Sequence, residues 1–568
     1  MSFITYHNFL IPIRPNIVFD LQLISYEIRS KPNWSTKYQD PTIRSKWERE
    51  IRSGLLKRSY HYDNLDHLIK YVFDHLKYFH YIQSVTEDKY DCGLIDYIFC
   101  KDDIINPDLK TKFLKSAQNL EANEPKDYHP NSNDQVLDLL HPSLYTLRYG
   151  YSPVLIDNKL KIVEHADAYK PNRSTYKISQ YISENFQWLP TVFKFNKSSD
   201  AYEIQSYINN LHPFKYTDLY NDIQKIFNSC LNGLSLVLSR AETDALNTFE
   251  TFNKSISIPF ASQEIYDESF QSLVDGLKEK AEYLDYGFQY DVESYIEKLY
   301  DDGTTTKHLL PYSNKSLKFP IEEKDFKVDL LNLKELYPEL KVIVKLANIE
   351  LTPENPTYNG GSWHVEGCDN EKIVATILYY YENDNITGSS ISFRAPVACE
   401  DFYEYEQDAT GPVWDLYSLS RESRAVSNQG HINCTENRLL VFPNFLQHHV
   451  NKFSLLDKTK PGTRKILCFF VVDPSLGDET PVFSTSDVPI QRKDWWDDQE
   501  YKEEFKKYLT DETRLQIQEL IHNNKVKFEW PILLEESKTL RLQLMKERSS
   551  QDKDESNVFN NKFCLCEH

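Results

Sequence analysis

Over about the first 300 residues, apolar positions recur every three to four residues, the spacing of one face of an α-helix. In PTIRSKWEREIRSGLLK a proline opens the segment and Ile43, Trp47, Ile51 and Leu55 form one stripe, so the pattern predicts a helix from Pro41. DNLDHLIKYVFDHLKYF predicts another, with Asp63 as its N-cap and Leu65, Leu68, Ile69, Val72 and Leu76 on one face. TDLYNDIQKIFNSCLNGL and SQEIYDESFQSLVDGLKEKAEYL continue the series, broken by polar stretches such as EANEPKDYHPNSNDQ and DDGTTTKH.

Near residue 338 the period falls to two. LKVIVKLANIEL, KIVATILYYY, SSISFR, NRLLVFPNFL and RKILCFFVVD are rich in β-branched and aromatic residues and are punctuated by Pro, Gly, Asn and Asp. The expected organisation is α+β: a mainly helical region over 1–337, an all-β core over 338–475, and a helical extension over 476–568. DQEYKEEFKKYLTDETRLQIQELI and LEESKTLRLQLMKE supply that last helical texture, and RSSQDKDESN reads as a mobile tail. No repeat of solenoid period is present.

Composition narrows the field. A chain of 568 residues exceeds what one hydrophobic core usually supports, so two or more structural units are expected. With 65 Lys plus Arg against 86 Asp plus Glu, the net charge of −21 repels a phosphate backbone and argues against nucleic acid as a partner. The same charge favours a basic or neutral substrate over an anionic polymer. No apolar run reaches the length of a membrane span and the start lacks a signal-peptide pattern, so a soluble intracellular protein, cytoplasmic or nuclear, is expected, with no membrane partner. Nine cysteines without a repeating spacing read as buried thiols rather than a disulfide framework. Cys564, Cys566 and His568 in FCLCEH are too closely spaced for a zinc knuckle and read as a packed or frayed terminus.

Three His-x-Asp/Glu triplets are present: His61 with Asp63, His165 with Asp167, and His364 with Glu366. About two are expected by chance from this composition, so context has to choose among them. Asp63 is explained as a helix cap. His165 and Asp167 lie in KLKIVEHADAYKPN, where nothing downstream completes a site. The third triplet, in NGGSWHVEG, stands in the β region and is followed by NRLLVFPNFLQHHV, which delivers His448 or His449, and by KTKPGTRKILCFFVVDP, in which Arg464 or Lys465 opens a strand. Alternation along a strand lets only one residue of each adjacent pair face inward. Two imidazoles and one carboxylate on one face of a metal leave three positions open, the arrangement of non-haem Fe(II) oxygenases. A nearby guanidinium suits the far carboxylate of a 2-oxo acid.

The order His-x-Glu, distal His, then Arg at the head of a late strand resembles the Fe(II)/2-oxoglutarate-dependent oxygenases of the double-stranded β-helix fold, a jelly-roll or cupin-like barrel. GGSWHVEG, ATILYYYENDNITGSSISFR, LLVFPNFLQHHV and GTRKILCFFVVDP, with EIRSKPNWSTKYQDPTIRSKWEREI near the start, resemble more closely the fungal domain-of-unknown-function 4246 family. The resemblance implies Fe(II) on His364, Glu366 and His448, and 2-oxoglutarate on Arg464 with Tyr380 reaching it. It favours His448 over His449, and Arg464, nine residues before Asp473, over Lys465. Glu366 departs from the Asp that most such enzymes carry. The expected activity is hydroxylation or demethylation of a small molecule or a protein segment. Two alternatives are a cupin-like metal enzyme that uses no 2-oxoglutarate, in which Arg464 has no task, and a non-catalytic interaction protein with a degenerate barrel.

Overall fold

The computed structural model describes nearly all of residues 11–56, 65–165, 182–241, 323–398, 417–476, 482–505 and 530–563. His61, Asp63, Asp167, Cys564, Cys566 and His568 lie outside the described residues, as do almost all of the segment 262–284 and most of 506–521.

The helical periodicity is realised in α1 (Asn16–Arg29), α2 (Pro41–Leu55), α3 (Leu65–Ser84), α4 (Pro107–Asn123), α5 (Thr217–Ser229) and α6 (Leu231–Ala241). In α2 the Asp40 carboxylate accepts from the backbone N–H of Thr42 and Ile43, and Trp47, Ile51 and Leu55 are buried, as the stripe requires. α3 buries more than the predicted stripe, because Tyr71, Phe73, Tyr78 and Phe79 are covered as well.

The strands that position the site are β1 (Ile11–Pro12), β2 (Asp91–Cys92), β3 (Phe99–Asp102), β4 (Val136–Leu140), β5 (Thr191–Asn196), β6 (Ala201–Ile204), β7 (Glu339–Leu351), β8 (Ile373–Asp384), β9 (Ser390–Ala398), β10 (Val426–Asn433), β11 (Arg438–Pro443), β12 (Gln447–Val450) and β13 (Gly462–Val472). A nine-stranded sheet runs β6-β5-β7-β13-β8-β11-β3-β2, with β4 also pairing β7. A four-stranded sheet runs β1-β9-β10, with β12 also on β9. Only β1 joins its neighbour in parallel; the other pairings of these sheets are antiparallel. Five of these strands, β2 to β6, stand within the region before residue 338 that was expected to be mainly helical, and they extend the large sheet at both edges and across β7. Each has two to six residues, too few for alternation to stand out from loop sequence.

Alternation sorts each long strand between two cores. From β13, Leu467, Phe469 and Val471 pack with α3, α5 and α6 on the outer face of the large sheet. Cys468 and Phe470 face the other way, into a core shared with Ile391, Phe393 and Ala395 of β9 in the smaller sheet. Phe393 and Phe442 meet there with ring centroids 4.9 Å apart. A sheet covered on both faces explains why KIVATILYYY and ILCFFVV read as unbroken apolar runs.

After the sheets, α7 (Leu534–Gln551) takes up the start of RSSQDKDESN. Phe559 and Phe563 are buried beyond it, and Phe563 N–H donates to Ser423 O; residues 552–557 of the expected mobile tail lie outside the described residues. Among the described residues no helix is long and apolar enough to cross a membrane. The six described cysteines, Cys92, Cys100, Cys230, Cys368, Cys434 and Cys468, are buried, and no disulfide forms among them.

Candidate metal centre

The NGGSWHVEG segment lies against β12 by backbone hydrogen bonds. His364 N–H donates to His448 O at 3.1 Å, and His448 N–H donates back to His364 O at 2.9 Å. This exchange sets the two imidazoles with ring centroids 4.5 Å apart. The glycine pair permits it: Gly360 has φ +97°, and a Cβ there would sit 2.8 Å from Val450 O. Glu366 follows two residues after His364 on the same side. Its Oε1 lies 3.7 Å from His364 Nε2 and 3.4 Å from His448 Nε2. The three donor atoms fall within 4.8 Å of one another, so one metal ion could meet all of them.

The surroundings fix these atoms. His364 Nδ1 faces Ser362 O at 2.8 Å, which places the proton on Nδ1 and the lone pair on Nε2, toward Glu366. Glu366 N–H donates to Asn444 Oδ1 at 3.0 Å, and Asn444 Nδ2 donates to Glu366 O at 2.8 Å, so this buried amide clamps the ligand's backbone from both sides. Sequence reading missed Asn444; its only signal is a polar residue in the apolar run LLVFPNFL. Burial alone would raise the Glu366 carboxyl, but His364 and His448 outweigh it and hold it well below the usual carboxylate range. Burial would lower His364, and Glu366 reverses that into a raised value. His448 is lowered, by burial first and then by the charge of His364.

Arg464 and Tyr380 face the same cavity as the triad, a space of about 640 Å³ also lined by Lys345, Tyr358, His129 and His141. Arg464 is 1% exposed, and its guanidinium carbon stands 4.9 Å from the Tyr380 ring centroid. Nη2 donates to Cys434 Sγ at 3.5 Å, while among the described residues Nε, Nη1 and the Tyr380 hydroxyl have no hydrogen-bond partner. A buried guanidinium with orphaned donors and, among the described residues, no carboxylate paired with it is costly, and an anion in the cavity relieves that cost.

Neighbouring side chains turn away. Lys465 pairs outward with Glu382 at 3.1 Å and Glu121 at 3.5 Å. His449 packs against Trp363 with centroids 4.1 Å apart and the ring planes tilted by 54°. Tyr379 and Tyr381 pack on the helical side of the sheet. His165 stands against Tyr149 and does not line the cavity, and His431 is exposed on β10.

A second group, also within 4.8 Å, was not singled out in the sequence: His129, Asp138 and His141. His129 Nδ1 lies 2.9 Å from Asp138 Oδ2, and Arg541 of α7 stands 3.6 Å from the same oxygen while pairing bidentately with Asp127.

The family model described as "Protein of unknown function (DUF4246)" matches residues 66–499, more than half of the chain, and the protein belongs to that family. No curated protein matches the chain. Among solved structures, an Fe(II)/(alpha)ketoglutarate-dependent dioxygenase, TqaL, aligns at 10% identity over 65% of this chain and 91% of its own, with a TM-score of 0.22. IDO from Bacillus thuringiensis aligns at 14% identity over 24% of this chain, with a TM-score of 0.15. EvdO2 from Micromonospora carbonacea var. aurantiaca, complexed with 2-oxoglutarate, aligns at 10% identity over 25% of this chain and 58% of its own, with a TM-score of 0.12. The chain spans 47% of the length of the IDO structure. Alignments at these scores are overlaps only.

Proposed function

We propose that the protein is an Fe(II)/2-oxoglutarate-dependent oxygenase built on a double-stranded β-helix. The observation that carries this reading is Arg464, a buried guanidinium with two unsatisfied nitrogens in the cavity of the His364, Glu366 and His448 triad. Strand order supports the fold. Numbering β7, the His364 segment, β8, β9, β10, β11, β12 and β13 from one to eight gives 1-8-3-6 in the large sheet and 2-7-4-5 in the small one. Successive segments thus mostly alternate between two facing sheets, as in a jelly roll.

Two imidazole nitrogens and one carboxylate oxygen form the facial set that suits Fe(II). Bound iron supplies the redox chemistry that couples decarboxylation of 2-oxoglutarate to oxidation of a second molecule. Arg464 pairs with the far carboxylate of the co-substrate, and the Tyr380 hydroxyl donates to it. Asn444 and Ser362 hold the ligand atoms in place before the metal arrives. Glu366 in place of the commoner Asp is one methylene longer, and its backbone is anchored through Asn444.

The test is succinate formation from 2-oxoglutarate by the purified full chain with added Fe(II), with no second substrate required for slow turnover. Turnover abolished by Glu366→Ala supports the reading. Tight metal binding with no 2-oxoglutarate binding moves the protein to the cupin-like metal enzymes, and absence of both leaves a non-catalytic barrel.

A further inference from the structure

One stretch of cavity wall, formed by β4, the turn after it and β7, carries donors for which the oxygenase reading has no use. Lys345 of β7 lines the cavity, and among the described residues no carboxylate pairs with it; Glu366 and Asp138 act on it only at longer range. Both of those acids are engaged elsewhere, Glu366 by the triad and Asp138 by His129 and Arg541. Ala347, two residues along the same strand face, is the register partner of Asp138, which places Lys345 near the β4 group. There Ser143 N–H donates to His141 Nδ1 at 3.1 Å, so the neutral ring keeps its proton on Nε2. Ser143 Oγ accepts from Trp188 Nε1 at 3.0 Å, which leaves its own proton to donate.

Charge counting sharpens this. The two positive charges of Fe(II) and the one of Arg464 cancel the one negative charge of Glu366 and the two of 2-oxoglutarate. Lys345 then has only Asp138 left to act on it, at longer range and shared with His129 and Arg541, so a counter-ion in this partly dry cavity gains more than it would at the surface. The net charge of the whole chain does not oppose this, because exposed charges beyond roughly 8–10 Å are screened. A volume of about 640 Å³ falls within the roughly 300–1,000 Å³ of small-molecule sites.

We propose that this wall is the substrate subsite and that the substrate is a small molecule bound through a carboxylate, with Lys345 as its ion-pair partner and His141 and Ser143 as hydrogen-bond donors. The inference rests on the oxygenase reading, because it names the substrate class of that site. A carboxylate of the co-substrate itself has the same chemistry, so the experiment separates the two sources.

The full chain, loaded with metal and saturated with 2-oxoglutarate under anaerobic conditions, is titrated calorimetrically with a set of N-acetyl amino acids and with their primary amides. At least one acid is expected to bind tenfold or more tightly than its amide. Lys345→Met removes that preference while the 2-oxoglutarate affinity stays within twofold, and Lys345→Arg, which keeps the charge, retains it. The proposal is overturned if no acid is preferred over its amide, if the preference survives in Lys345→Met, if Lys345→Arg loses it too, or if the loss falls on 2-oxoglutarate. The titrations are repeated without metal and 2-oxoglutarate. A Lys345-dependent preference there stands even if the wild type never binds 2-oxoglutarate, a result that sinks only the oxygenase reading.

Discussion

Two groups of two histidines and one acid stand at the same cavity, which all of them but Asp138 line, each with its donor atoms within 4.8 Å, yet their hydrogen bonds differ. In the His364, Glu366 and His448 group, the carbonyl at Ser362 takes the Nδ1 proton and leaves Nε2 free to bind a metal. In the His129, Asp138 and His141 group, a backbone N–H occupies His141 Nδ1 and forces the proton onto Nε2, which removes the lone pair a metal needs. The Arg541 guanidinium 3.6 Å from Asp138 also opposes a second cation there. Proximity of ligand types is therefore insufficient; at His364 and His141 the partner of the far ring nitrogen makes the difference.

The largest effect that would break this contrast concerns metal stoichiometry. One Fe(II) or Ni(II) per chain is expected in equilibrium dialysis. Glu366→Ala or His448→Ala should weaken binding by more than the ~10–100-fold typical of outer-shell changes, whereas Asp138→Asn leaves it unchanged. Two ions per chain, or a loss in Asp138→Asn, would reverse the assignment of the two groups.

Arg464→Ala comes next. Removing a buried bidentate partner costs about 2–5 kcal/mol, or about thirtyfold and upward in 2-oxoglutarate affinity, while metal affinity holds because no ligand is touched. Anaerobic calorimetry of the metal-loaded proteins reads both.

The third effect is on pH dependence. Burial pushes His141 down to about 3 from 6.5, partly offset by Asp138. The folded state therefore binds fewer protons than the unfolded chain between those values. Its contribution to stability is full above about 6.5 and is lost as pH falls toward 3, at a slope of up to about 1.4 kcal/mol per pH unit. Urea unfolding at pH 7, 5.5 and 4.5 should show a shallower loss for His141→Gln than for wild type. The smallest effect is at His449: His449→Ala should change metal affinity less than twofold in the same dialysis, because its ring packs against Trp363.

Sequence carried the long elements well because their signals are long. The Ile43, Trp47, Ile51 and Leu55 stripe and the apolar runs of β8 and β13 extend over nine or more residues each. It named His364, Glu366, His448, Arg464 and Tyr380 together only through the family resemblance, since they come from a loop and three strands that lie up to 100 residues apart. It missed β2 to β6, whose two to six residues carry no measurable period. It also missed Lys345, Asn444 and the β4 group, because their neighbours in space lie far away in the chain: Asn444 meets Glu366 across 78 residues. A lysine inside the apolar run LKVIVKLANIEL was the one available hint, and periodicity alone reads it as a tolerated surface residue.

The helix α7 has a further consequence for the order in which the cavity is made. Leu544, Met545 and Arg548 form part of its wall, and Arg548 Nη2 donates to Glu371 Oε1 at 2.7 Å, from 177 residues away. Every triad residue and Arg464 has left the ribosome well before these three. A chain that ends before residue 534 contains His364, Glu366, His448 and Arg464 but lacks this side of the chamber wall.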